Sequence, residues 1–311
     1  MINKMNVLSL FDGMSCGRIA LEELDMDVEN YFASEINKYA IEVTQDNYPD
    51  TVQIGDIREL DEETLSDLPK IDLLIGGSPC QNLSITTVDR IKHNQGLEGE
   101  KSKLFYEYVR VLEWIKQNNN KGVKFLLENV GSMKDKDKEI ITAAMEVNPI
   151  NLDSADFSAQ NRDRYYWTNI KIDSPIPTNN TVLSDIILTP EEVEQQETGR
   201  MKVWYEEDFE YIDSDGNIEA ILNISGHDIL KRIQKKDHKC ATLTTCTGGN
   251  RQKKIIQEGK ARKLLPIEYE RLQTVPDNYT KAVSNTRRYN MLGNGWTVEV
   301  IKFIFKHLKE E

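Results

Sequence analysis

The chain has 311 residues, 39% of them hydrophobic, enough for a sizeable core without disulfide or metal staples. No run approaches 18 uncharged apolar residues, so no transmembrane helix is expected, and the 29% charged content comes with too many aliphatic and aromatic side chains for disorder. The net charge of −13 argues against a nucleic-acid binder only as a single number: residues 191–219 hold eleven acids and two bases, residues 231–263 eleven bases and two acids. The second block offers a local positive face for phosphate, or the two blocks are simply compensating solvated surfaces.

In chain order, the spacing predicts a buried strand over 7–11, then Gly13, Gly17 and a helix to Leu24. A strand over 29–34 and a helix over 37–46 follow. A brief strand covers 52–54, and a uniformly apolar one, 71–75, ends in Gly76-Gly77. Helical periodicity marks 103–115, a strand 123–127, a helix 136–145, and YYWTNI reads as a further strand. This alternation implies βαβ units and a mostly parallel sheet covered on both faces. After Ile172 the pattern breaks at SPIPTNNT. Residues 178–263 read as a second, smaller unit containing both charge blocks. Helical patterns return at PIEYERLQTV and, after Pro276, at TVEVIKFIFKHLK. No small-residue cleavage site follows the first apolar run, so no signal peptide is expected. Cysteines 16, 80, 240 and 246, irregularly spaced, suit a reducing compartment.

Ligands in such sheets bind at the carboxyl ends of the strands. Cys80 stands at one such end, in Ser78-Pro79-Cys80-Gln81, as a candidate nucleophile or a small buried hydrophobe. Glu128 ends the FLL strand, where a partly buried acid can accept and donate a proton, or cap or pair structurally. Arg162 and Arg164, one residue apart, point to the same side of an extended chain; they suit an anionic or carbonyl-bearing ligand, or a surface pair with Asp163 and Asp156. The Gly13–Gly17 turn could cradle a nucleotide-like cofactor but is not G-x-G-x-x-G. Glu35 sits where an acid binds ribose hydroxyls, and Asp56 could bond an adenine amino group; each could equally be a solvated acid.

In this order, the residues resemble the DNA (cytosine-5) methyltransferases from about Val7 to His307. LFDGMSCG resembles the first motif of that family, and Glu35 and Asp56 its second and third. SPCQNLSI is similar to the nucleophile motif, ENV to the glutamate motif, QNRDR to the arginine motif, RLQTVPDNYT to the ninth and LGNGWTVEVI to the tenth. Two departures resemble the animal de novo enzymes: Ser9 stands where restriction-system members usually carry Asp, and Trp296 where Val is commoner. Gln81 and Asn294 follow the bacterial pattern. The wording as a whole is most similar to a compact prokaryotic or phage-type enzyme.

The resemblance implies an α/β fold, a Rossmann-like class I S-adenosylmethionine-dependent methyltransferase sheet with an inserted small target-recognition domain. Residues 1–177 plus 264–311 would form the catalytic domain and 178–263 the recognition domain. It implies that Cys80 adds to C6 of a cytosine flipped out of duplex DNA, that Glu128 holds N3 and the exocyclic amine, that Arg164 binds O2, and that Arg162 supports the pocket. The implied cofactor is S-adenosylmethionine, held by Phe11, Gly13, Met14, Cys16, Glu35, Ile36, Asp56, Ile57, Pro79, Asn294 and Trp296. Gln81 and Ser84 would contact DNA from a lid over 81–103. Thr242 and Leu243 would centre the recognition segment, with Arg251, Lys253 and Lys254 as phosphate or guanine contacts. The acidic 191–219 segment would face away from DNA, or be displaced by it. His238, Cys240 and Cys246 lack a fourth ligand and the spacing of a zinc site, so no metal is expected. The partner is double-stranded DNA, not a membrane, and a cytoplasmic, nucleoid-associated monomer is the expected form. An RNA methyltransferase of the transfer-RNA branch is the alternative enzyme, but its replacement of Gln81 and its Cys-Phe-Thr signature are missing. A catalytically dead homologue would have lost Cys80, Glu128 or Arg164, and all three stand.

Overall fold

The computed structural model describes residues 4–79, 103–119, 122–196, 203–213, 216–246 and 250–309. By compactness these divide into two units: 1–153, 163–175 and 300–311 in the first, 154–162 and 176–299 in the second.

The first unit is built on a seven-stranded sheet. Its strands are β1 (Met5–Leu10), β2 (Val28–Ser34), β3 (Val52–Gln53), β4 (Leu73–Gly77), β5 (Lys124–Val130), β6 (Ile150–Asp153) and β7 (Asp163–Thr168), in the order β3-β2-β1-β4-β5-β7-β6. The first five run parallel, and β7 pairs antiparallel with both β5 and β6. Val7, Leu8, Ser9 and Leu10 are all buried, as expected for a strand covered on both faces. The covering helices α1 (Cys16–Glu23), α2 (Lys38–Asn47), α3 (Glu62–Ser66), α4 (Leu104–Asn118) and α5 (Asp135–Met145) follow the strands. In α4 the residues Phe105, Tyr108, Val111, Leu112 and Ile115 are buried, the three–four spacing of a single apolar face.

Strand order reverses between β1 and β4, and in open α/β sheets the crevice at such a reversal is the binding position. A glycine permits the close approach there. A Cβ on Gly76 would lie 2.8 Å from the Leu10 carbonyl oxygen and 3.0 Å from the Tyr108 ring. Tyr108, itself buried, donates its hydroxyl to the Leu126 carbonyl at 3.1 Å and so ties α4 under the same spot.

The second unit holds α6 (Pro190–Gln196), two small antiparallel sheets and two further helices. One sheet has the order β11-β10-β9, from β9 (Phe209–Tyr211), β10 (Ile218–Leu222) and β11 (Arg232–Gln234). The other, β12-β13-β8, joins β8 (Tyr205–Glu206), β12 (Lys254–Gln257) and β13 (Lys260–Lys263). Ala220, Leu222, Ile233, Ile256 and Ala261 form one of its apolar clusters, and Leu188, Val193, Val203, Leu265 and Ile267 another. Helices α7 (Pro266–Leu272) and α8 (Asn285–Asn294) follow, and α9 (Val298–Phe305) leads into the C-terminal segment.

Two buried ion pairs anchor α7. Arg262 grips Glu268 bidentately at 2.6 and 2.8 Å, both side chains fully buried. Glu268 also accepts the Leu188 and Leu265 amides. Glu270 accepts Arg288 at 2.9 Å together with the Asn278 and Thr280 amides. Buried charges persist only when paired and hydrogen-bonded to this extent.

The compact division falls elsewhere than at 178–263. Residues 154–162 and 264–299 group with the insertion because Gln160 and Gln273, both buried, bond each other at 3.1 Å, and Thr297 bonds Ser154 and Gln273 at 2.8 Å. Beyond Val300 the chain returns to the first unit, where Lys302 pairs with Glu23 at 3.0 Å and Lys309 donates to the Leu24 carbonyl, both at the end of α1.

Candidate active site

The turn after β1 has an unusual backbone. Phe11 (φ 57°), Gly13 (φ 61°) and Ser15 (φ 62°) are all left-handed. Two of them are not glycine, so neighbouring contacts must hold the conformation. Asp12 supplies several. Its Oδ1 accepts the Tyr31 hydroxyl at 2.8 Å and its Oδ2 the Ser15 hydroxyl. Ser15 in turn bonds Thr44 at 2.8 Å. Burial pushes the Asp12 carboxyl up to about 6, against the pull of the Ser15, Ser9 and Tyr31 hydroxyls and with help from the Glu35 charge.

Glu35 closes the turn from the end of β2. It accepts the Gly13 amide at 2.8 Å through Oε2, and the Ile36 and Asn37 amides at 2.8 and 2.7 Å through Oε1. Three of its roughly four acceptor sites are used, which leaves one for a ribose hydroxyl. Ile36 is 69% exposed, an apolar side chain that an adenine ring would cover. Asp56 caps a short 3-10 turn and pairs with Arg58, whose guanidinium holds the Asp56 carboxyl below the usual carboxylate range. Ile57, Met14 and Cys16 are buried, so little of their side-chain surface is open to a ligand, while Phe11 packs partly against the core. The acceptor on Glu35 and the uncovered Ile36 fit a nucleoside cofactor.

A second group gathers at the ends of β4, β5 and β7. Gly77 pairs with Glu128 in register, and Ser78-Pro79 continues from β4. The Asn129 side chain donates to the Ser78 hydroxyl at 3.0 Å and to its carbonyl at 3.3 Å, which pins the chain entering Cys80. Glu128 meets Arg164 at 2.7 Å, with 12% and 13% side-chain exposure. Arg164 also donates to the Asp163 carbonyl at 2.7 Å. Cys80, Gln81, Ser84 and the expected lid as far as residue 102 lie outside the described residues.

Arg162 is in the second unit, and Arg164 in the first. The buried guanidinium of Arg162 donates to three carbonyls: Leu243 at 3.2 Å, Gly293 at 3.2 Å and Gly295 at 2.9 Å. Beside it, Gln160 accepts the Leu243 amide at 2.8 Å, and the Thr242 hydroxyl donates to the Asn161 carbonyl at 2.7 Å. Leu243 is buried, so its part in this segment is as an anchor. Asn294 is exposed between the two glycines, and Trp296 is half-buried.

The basic candidates separate by exposure. Arg251 is exposed and Lys253 half-buried, with burial lowering the Lys253 ammonium. Lys254 is 1% exposed and donates to the carbonyls of Leu230, Asn250 and Gln252. Burial, aided by the charges of Lys263 and Lys253, lowers it to about 8; its side chain has almost no surface to offer a phosphate. Residues that the sequence reading passed over are Gln160 and Gln273, whose only signal is an amide inside an otherwise charged or apolar motif, and Asn129, the middle of ENV. Among the described residues no group of three or more His, Cys, Asp or Glu could hold a metal ion, and no helix is long and apolar enough to cross a membrane.

A profile described as C-5 cytosine-specific DNA methylase matches residues 5–310. The type II methyltransferase M1.ScrFI of Lactococcus lactis subsp. cremoris is 30% identical over 99% of this chain and 78% of its own length. M.NlaX of Neisseria lactamica, another type II methyltransferase, is 29% identical over 97% of this chain and 96% of its own. In fold, the chain is similar to the crystal structure of an E. coli prophage-encoded DNA modification methyltransferase, with a TM-score of 0.68, 19% identity and 99% coverage of both chains. A profile match across nearly every residue, on a class I methyltransferase sheet, places this chain in the C-5 cytosine-specific DNA methylase family, whose activity is S-adenosylmethionine-dependent methylation of cytosine C5 in DNA.

Proposed function

We propose that Cys80 is the nucleophile of this methylase and that Glu128 and Arg164 form its cytosine pocket. The observation that carries the proposal is the Glu128–Arg164 pair at 2.7 Å, which joins β5, the neighbour of β4 whose end precedes Cys80 in sequence, to β7 on the far side of β5. C5 of cytosine is a weak nucleophile within an aromatic ring. Addition of the Cys80 thiolate to C6 forms an S–C6 bond and places electron density on C5. Glu128 holds N3 and the exocyclic amine and protonates N3, so negative charge does not accumulate on the ring. The fixed positive charge of Arg164 binds O2. S-adenosylmethionine, when bound, supplies the methyl group. Loss of the C5 proton to solvent and breaking of the S–C6 bond restore the aromatic ring and the thiolate, and N3 returns its proton to Glu128.

The target base must leave the helix to reach this pocket, at a cost of a few kcal/mol. Gln81 and Ser84, which follow Cys80 in sequence, are proposed to contact the DNA. Glu35 is proposed to hold the cofactor ribose, Ile36 its ring and Asp56 its amino group. Gly13 and Phe11 shape the floor, with the backbone of Met14 and Cys16 and the edges of Ile57 and Pro79. Asn294 and Trp296 are assigned to the same cofactor by their place in LGNGW. Residues 178–263 are proposed to read the DNA sequence through the Thr242–Leu243 segment, with Arg251 and Lys253 as phosphate contacts. Such an enzyme works where the DNA is, in the cytoplasm at the nucleoid.

Expression in a host lacking cytosine methylation, followed by bisulfite sequencing, tests the proposal. Protected cytosines in a fixed sequence context are expected, and they should vanish with Cys80→Ala. Methyl transfer by Cys80→Ala, or transfer to RNA rather than DNA in a radiolabel assay, would refute it.

A further inference from the structure

One guanidinium in the second unit touches two segments with different proposed duties. Arg162 donates through Nη1 to the Leu243 carbonyl, in the segment proposed to read DNA. It donates through Nη2 to the carbonyls of Gly293 and Gly295, on either side of Asn294. The two segments also meet directly. A Cβ on Gly293 would lie 2.5 Å from the carbonyl carbon and oxygen of Thr244 and 2.6 Å from the Thr245 nitrogen. Glycine is therefore required for backbone to lie on backbone there.

We propose that Arg162 is a positioning residue that couples the DNA-reading segment at 242–245 to the cofactor turn at 293–296. The inference rests on the reading above, that the 242–245 segment reads DNA, with the buried Leu243 as its anchor, and that Asn294 faces the cofactor. The guanidinium is a rigid planar fork and holds all three carbonyls at once only while the two segments keep one spacing. Movement of Leu243 on DNA binding shifts the fork, and the fork shifts the carbonyls that flank Asn294. A lysine ammonium keeps the charge but lacks the fork. Thermodynamic linkage makes such coupling reciprocal: DNA tightens the cofactor by the factor with which the cofactor tightens DNA.

The test titrates S-adenosylhomocysteine calorimetrically into the full chain, alone and with a DNA duplex carrying the site found by bisulfite mapping. In the unmodified protein DNA is expected to tighten S-adenosylhomocysteine about tenfold, within the usual range of coupling factors. Arg162→Lys should bring that factor below about two and relax discrimination against near-cognate sites in parallel. A factor near one in the unmodified protein, or an unchanged factor in Arg162→Lys, overturns the coupling. So does a fall in kcat alone, which would place Arg162 at the substrate. Thr242→Ala should relax site discrimination, and Asn294→Ala should weaken S-adenosylhomocysteine. If either control fails, the functional reading of these segments falls; if both hold, an unchanged factor removes the coupling alone. Because a buried arginine is being altered, hydrogen exchange on the unmodified protein gives a second measure. DNA without cofactor should slow exchange across 291–296, and unchanged exchange there counts against the proposal.

Discussion

Arg164 reaches diagonally across two antiparallel strands to place its Nε 2.7 Å from Oε1 of Glu128. In the β5–β7 register Arg164 opposes Val130, and Glu128 opposes Tyr166. The partners therefore stand two positions apart on one face, a separation that long side chains span. Glu128→Gln keeps the shape and loses the proton. It should lower kcat about a hundred- to ten-thousand-fold with little change in thermal midpoint. Arg164→Ala leaves a nearly buried carboxylate without this partner and should cost about 2–3 kcal/mol of stability as well as activity. Equal stability losses from both variants would contradict this division of roles; steady-state kinetics with thermal unfolding decides it.

With S-adenosylmethionine present to methylate C5, a duplex carrying 5-fluorocytosine at the target position should form an adduct with the protein that survives denaturing electrophoresis. Fluorine at C5 cannot leave as a proton does, so the S–C6 bond is trapped. Cys80→Ser should abolish the adduct. A complex that dissociates on denaturation would count against nucleophilic addition.

Asp12 makes stability depend on pH in a direction opposite to most carboxylates. Its pKa rises from 3.8 to about 6 on folding. The stability it contributes is therefore full below about 4 and is lost as pH rises through about 6. A shift of about two units corresponds to at most about 3 kcal/mol. Asp12→Asn removes the titration, so it should raise the thermal midpoint relative to the unmodified protein at pH 8 and much less at pH 4. An equal gap at both values would show that another group titrates.

Arg251 and Lys254 should separate DNA affinity from stability. Arg251→Ala should reduce the slope of log affinity against log salt by about one, with the fold intact. Lys254→Met should leave that slope alone and cost about 2 kcal/mol, because three carbonyls lose the same donor. The two readouts are a salt titration of DNA binding and thermal unfolding.

The central sheet was legible because β1, β4 and β5 are apolar runs bounded by turn residues. The edge strand β6 was not: Ile150 and Leu152 alternate with Asn151 and Asp153 over only four residues, too few for a periodicity. The insertion hid its strands for the same reason, and its basic side chains misled further. Arg262 and Lys254 read as surface charges, yet both are buried because local acceptors satisfy them. The expectation that Arg162 and Arg164 share a side came from strand alternation. β7 begins at Asp163, so the alternation does not extend back to Arg162, and its donors turn to carbonyls of the second unit. The motif residues Glu128, Glu35 and Arg164 were readable because each sits at or beside a strand end.

The Arg262–Glu268 clamp bears on any attempt to trade sequence preference between relatives. A chimaera that joins a foreign insertion at residue 264 would import one partner of the clamp and keep the other. Glu268 would then be stranded in the interior, at a penalty of about 3–5 kcal/mol. Grafts that carry 176–299 as one block keep both partners and the Glu270–Arg288 pair, so that longer exchange is the one to build.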